Sequence, residues 1–271
     1  MVSFNETTRW SRLARLGKSP LARLTIVTPF LGFVIFLNTG LDDYLKLGPT
    51  GLSEGWLSYL ADRRVELLYI GLTILGAATG LFSLFAPDTI KNSHQYSDFI
   101  QFKEDTKTSN AVVGSLEKTL QLTDERIKNL GSESFGDISA SRNFPQSVID
   151  SISRLVISVF EEGEEKLPRQ AAEFEPDEVF HEVYYTAQGL PNLDPIFECV
   201  VNCRRIEYGV WKGFVNTAPN FSIDVFRLEY LIKDYSRPNL RGFVFSAFLF
   251  GSFVSLIPTL TSIWMVLLFS F

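Results

Sequence analysis

Charge-free apolar runs divide the chain before any motif is considered. Leu24 to Gly40 gives 17 positions without a charge, about 26 Å of helix, which Leu21, Ala22 and a snorkelling Arg23 extend. Leu67 to Pro87 gives 21, about 31 Å, close to the roughly 30 Å hydrocarbon core of a bilayer. Gly242 to Phe271 gives 30, about 45 Å, half as long again as one crossing needs. The pattern predicts transmembrane helices at 24–40, 67–87 and 242–271. Pro258 removes a backbone donor near the middle of the third, which leaves a kinked, tilted crossing or a re-entrant hairpin. A cleaved signal peptide fits residues 1–40 less well, because only Asn38, Thr39 and Gly40 stand where a small-residue cleavage site belongs.

Between the second and third runs the pattern becomes amphipathic. Phe99, Phe102, Thr106, Ser109, Val113, Leu116, Leu120, Thr123, Ile127 and Leu130 follow the three-four spacing of a coiled-coil seam. This predicts a helical stalk over 88–130, stopped by Gly131. A Ser- and Gly-rich loop follows. Pro145 then opens a helix whose apolar face is Val148, Ile149, Ile152, Leu155, Val156, Val159 and Phe160, ending near Gly163. Asp177 caps a further helix reaching Gly189, and Asp194 with Pro195 starts another through Ile196, Phe197, Val200 and Val201. Arg205–Val215 and Ser222–Ile232 read as helices, or as a β-hairpin around Asn216–Asn220. The expected fold is therefore mainly α: a polytopic membrane protein with a mostly helical cytosolic domain at 131–241.

Charge sets the orientation. Arg9, Arg12, Arg15, Lys18 and Arg23 precede the first run, against Lys46, Arg63 and Arg64 in the 41–66 loop. Basic flanks favour the cytoplasm, so the N-terminus and the central domain are expected inside a bacterial inner membrane, with the loop external. Segment 1–23, with Trp10, Leu13, Leu16 and Leu21 among its cations, suits an interfacial helix on anionic lipid. The whole chain has a formal charge of -6, yet its mean hydropathy is +0.11 and it holds 24 Phe and only two Cys. That excludes a disordered chain, a disulfide scaffold and a nucleic-acid binder running on bulk positive charge.

The spans carry no Asp, Glu, Lys, Arg or His, so ion-coupled transport lacks its ionisable partner. Gly76 and Gly80 form a G-x-x-x-G pair, paralleled by Thr73 and Ala77, which suits helix association within an oligomer or against the chain's own spans. Val113, Leu116, Leu120 and Ile127 are a second candidate oligomer seam. Ser252, Ser255, Thr259 and Ser262 line one face of the third span, either as the wall of a pore or as hydroxyls bonded to their own helix.

Three catalytic patterns are missing: there is no H-E-x-x-H, Walker loop or G-x-G-x-x-G turn. Glu178, His181 and Glu182 share a helix face but supply too few ligands for a carboxylate-bridged metal pair, and Cys199 and Cys203 read as small core residues. No catalytic group, metal or cofactor is expected. Residues 161–182 hold nine acids, namely Glu161, Glu162, Glu164, Glu165, Glu173, Glu175, Asp177, Glu178 and Glu182. Such a run is a solvated face or a docking site for a basic protein.

In the order of its parts, from the basic start at Arg9–Arg23 through spans at Leu24–Gly40 and Leu67–Pro87 to the apolar end at Gly242–Phe271, the chain resembles membrane subunits of bacterial anti-phage defence systems of the Kiwa type. The resemblance implies membrane sensing of infection and recruitment of a cytosolic effector, and it transfers no individual residue. The expected function is a non-enzymatic oligomeric membrane sensor or scaffold that docks a cytosolic protein. A gated pore lined by the third span is the alternative. Expected partners are membrane lipids, further copies of the chain and a cytosolic protein, with no nucleic acid.

Overall fold

The computed structural model describes residues 4–17, 63–93, 95–129, 145–165, 182–202 and 208–269. In chain order the helices are α1 (Phe4–Thr7), α2 (Trp10–Gly17), α3 (Arg64–Phe85), α4 (Asp88–Asn92), α5 (Tyr96–Asp105) and α6 (Ser109–Asn129), followed by α7 (Gln146–Glu165), α8 (Leu193–Asn202), α9 (Tyr208–Thr217), α10 (Ser222–Asp234) and α11 (Pro238–Phe269). The chain divides into two compact units, one built chiefly from 92–236 and the other from 7–91 with 237–271.

The second unit contains two helices long and apolar enough to cross a membrane, α3 and α11. The expected first span at 24–40 lies outside the described residues. α3 ends where the sequence places its stop: Ala86, extended at ψ 143°, precedes Pro87, whose ring disfavours helix in the residue before it. α11 is one continuous helix through Pro258, which overturns the re-entrant alternative. A proline ring removes a single intrahelical donor, and Val254, Pro258 and Thr261 nonetheless lie along one buried face of the helix. Arg237 enters α11 with φ 51° and donates from Nη1 to the Phe85 carbonyl at 3.1 Å, placing a cation where the α3 dipole is negative.

α3 and α11 touch backbone to backbone. A Cβ built on Gly71 would lie 2.6 Å from the Ser255 nitrogen, and one on Gly251 would lie 3.0 Å from the Gly71 oxygen. α2 closes one side of the pair: Trp10 is fully buried with its ring 5.9 Å from that of Phe82. Trp10 is thus a packing residue, whereas Arg12, Arg15 and Leu16 are exposed.

The first unit is helical among the described residues, and the expected stalk is part of it. The run from 88 breaks at Asn92 and again after Asp105, where the Thr108 hydroxyl caps α6 by accepting from the Ala111 amide at 3.2 Å. Phe102, Thr106 and Ser109 are exposed, whereas Val112, Leu116, Thr119, Leu120, Thr123 and Ile127 are buried. α6 packs on α8, on α10 and on the 3-10 turn Ala218–Phe221. The seam therefore faces the chain's own core, and Val112 rather than Val113 lies in it.

α7 buries the face its sequence predicts, from Val148 to Phe160. It does not end at Gly163: that glycine is buried, and its Cβ would lie 3.1 Å from the Gly213 carbonyl carbon of α9. The alternative hairpin at 205–232 is overturned, since α9, the 3-10 turn and α10 occupy the described part of that range. Val210 and Phe214, then Val225, Phe226, Leu228 and Ile232, are buried at helical spacing. One isolated antiparallel bridge, Tyr185 to Pro191, replaces the expected helix end at Gly189, which takes φ +77° in the turn between them.

Candidate functional site

The acidic run is only partly described. Glu161 and Glu182 are exposed, and Glu162 accepts a 2.6 Å hydrogen bond from Asn220 Nδ2. Glu164 and Glu165 end α7, while Glu173, Glu175, Asp177 and Glu178 lie outside the described residues, as do His94, His181 and Cys203. Cys199 is a buried thiol. Among the described residues no three His, Cys, Asp or Glu side chains cluster as metal ligands would.

Gly80, the second member of the small-residue pair of α3, makes no close contact with α11. A Cβ on Gly80 would meet nothing within 4 Å, and Gly80, Ala77 and Thr73 are exposed. Gly76 is half-buried. On α11, Ser252 and Thr259 are exposed, but the Ser255 hydroxyl donates to the Ser252 carbonyl at 2.9 Å. Ser255 accordingly follows the self-bonded alternative. Ser262 lies within α11.

Polar chemistry concentrates in the first unit around two features that periodicity does not mark. The first is Glu229, 8% exposed on α10. Its carboxylate takes Lys103 Nζ of α5 at 3.1 Å, Lys233 Nζ one turn on, and the Ser115 hydroxyl of α6 at 2.6 Å. Burial pushes its pKa up, but the Lys233 and Ser115 hydrogen bonds and the charges of Lys233 and Lys103 outweigh that, so the carboxyl sits below its ordinary value. Lys103 also lies over the rings of Phe99 and Phe226, at 5.5 and 5.3 Å. The cluster ties α5 and α6 to α10 and keeps its charges satisfied, as a structural knot does.

The second is an open groove of about 290 Å³ between α7 and α10. Ser151, Arg154, Leu155 and Ser158 recur at three and four residues and face it from α7; Asp224, Arg227 and Leu228 face it from α10, with Phe221 at the end of the 3-10 turn. Leu155 and Leu228 are buried and form its floor, while both arginines and Asp224 reach solvent. The charge of Arg227 extends to Tyr96, whose hydroxyl is raised above its ordinary value by burial, an effect that Arg227 opposes and Asp224 reinforces.

Compared with protein-family models, with curated proteins and with solved structures, the chain finds no match.

Proposed function

We propose that this protein is a non-enzymatic, oligomeric membrane sensor or scaffold that docks a soluble partner protein on the cytoplasmic side of a bacterial plasma membrane. The carrying observation is the polarity of the helix pair. Only 17% of the apolar window of α3 and 28% of that of α11 is buried, whereas the core helix of a water-soluble protein would be mostly covered. Leu84 is 75% exposed and Phe253 63%, side chains whose exposure to water is unfavourable and which a bilayer accepts.

The cytoplasmic placement rests on Arg9, Arg12 and Arg15 before the first apolar run and on Lys233 and Arg237 before α11. Partner docking rests on the acidic run, of which Glu161 and Glu182 are exposed. The place in antiviral defence rests on the order of basic start, spans and soluble body.

The test is affinity purification of the detergent-solubilised protein from its native cells. A stoichiometric cytosolic protein should co-purify, leave as salt screens the contact, and be lost from a Glu161→Lys, Glu182→Lys variant that unfolds at the unaltered temperature. Purification without any stoichiometric companion, or one indifferent to both substitutions and to salt, would refute docking through this face.

A further inference from the structure

We infer that the groove between α7 and α10 is a binding site for a nucleoside monophosphate. Among the described residues, Arg154 and Arg227 form no ion pair or hydrogen bond, although residues 88–240 as a whole carry a surplus of acids. Lys91, Lys103, Lys107, Lys128 and Lys233 of that region each hold a carboxylate. Two arginines brought to one concavity from separate helices, and not ion-paired with the Asp224 that lines it with them, are available to an incoming anion. Their planar forks match phosphate oxygens two at a time.

The remaining lining specifies more than phosphate. The Ser158 hydroxyl is half-buried and makes no hydrogen bond among the described residues, so it retains its proton to donate. Ser151 has spent its proton on the Ser147 carbonyl at 2.7 Å and can only accept. Asp224 would repel a bare phosphate, so the ligand has to bring a hydroxyl or amino donor to it, and a ribose supplies that. Phe221 offers an aromatic surface beside the buried Leu155 and Leu228, as a base requires for stacking. At about 290 Å³ the groove falls at the small end of ligand sites, which favours one nucleotide over a dinucleotide.

Isothermal titration of the full-length protein in neutral detergent tests the assignment, with adenosine, guanosine, cytidine and uridine monophosphates as probes. Inorganic phosphate, the matching nucleosides and phosphatidylglycerol vesicles form the comparison arms. At least one monophosphate should bind saturably, with its nucleoside and inorganic phosphate each at least tenfold weaker. R154Q and R227Q should each weaken that binding at least tenfold while leaving the unfolding temperature unchanged, since both side chains are exposed. R154K should retain part of the affinity, because charge survives and only the fork is lost. The proposal is overturned if no monophosphate saturates, if binding is indifferent to both arginines, or if phosphatidylglycerol vesicles displace the nucleotide from the arginines and bind there more tightly.

Discussion

Gly71→Ala tests how the two apolar helices meet. The added methyl carbon would sit 2.6 Å from the Ser255 nitrogen, 2.9 Å from its Cα and 2.9 Å from the Gly251 oxygen. All three are backbone atoms of α11, so no side chain can rotate away, and ordinary contact at about 3.5 Å requires the helices to part by close to 1 Å. A gap of roughly 0.5–1 Å forfeits a quarter to a half of each neighbouring dispersion contact, and overpacking of this kind costs about 1–3 kcal/mol. Alanine's better helix propensity returns less than about 1 kcal/mol. A net loss of about 2 kcal/mol lowers the unfolding midpoint by roughly 4–8 °C for a chain of this size. Gly80→Ala is the matched control on the same helix, since its methyl group would meet nothing within 4 Å, and its midpoint should hold or rise by about 1–4 °C. Intrinsic fluorescence during heating in detergent reads both. Equal drops, or a larger drop for Gly80→Ala, would refute a crossing at Gly71 and Gly251.

Further substitutions address the helical unit. Glu229→Gln should cost about 2 kcal/mol in chemical denaturation, less than the roughly 3–5 kcal/mol of a fully buried pair, because Lys103 and Lys233 are 29% and 25% exposed. With the Glu229 pKa depressed in the folded state, its contribution is fully present above the ordinary carboxyl value of 4.5 and is lost as pH falls through the folded value. The Gln variant should therefore lack part of the acid-induced destabilisation of the unaltered protein; superimposable pH profiles would contradict this. Thr108→Ala removes the α6 cap and should cost about 1 kcal/mol, whereas Gly114→Ala, with open space around its Cβ, should gain about 0.5–1 kcal/mol. Denaturant midpoints that move the other way would remove those two assignments.

Much of the helical layout was legible because charge-free runs and apolar stripes are local properties. The runs at 67–87 and 242–271 became α3 and α11 within a few residues at each end, and every position of the predicted α7 face is buried. What periodicity does not encode is the partner of a stripe. Leu116, Leu120 and Ile127 repeat as a coiled-coil seam does, yet α8 and α10 of the same chain cover that helix. Glycine was misleading for a related reason. Gly163 resembles a helix stop and Gly80 half of a packing motif, but the close approaches occur at Gly163 with Gly213 and at Gly71 with Gly251, positions related only through the tertiary fold. The hairpin reading of 205–232 failed because Pro219 and Asn220 mark a turn without specifying what flanks it, and helical burial on both sides decided the matter. The arginine groove was not anticipated. Ser151, Arg154 and Ser158 were visible as polar residues bordering the apolar face of α7, but only the apposition of α10 brings Arg227 beside them.

Residence in lipid is tested most directly by extracting native-cell membranes with alkaline carbonate and then with detergent. The full-length chain should stay in the carbonate pellet and enter solution only with detergent. A chain recovered from the cytosolic fraction, dispersed and folded in buffer without surfactant, would contradict the placement of α3 and α11 in a bilayer.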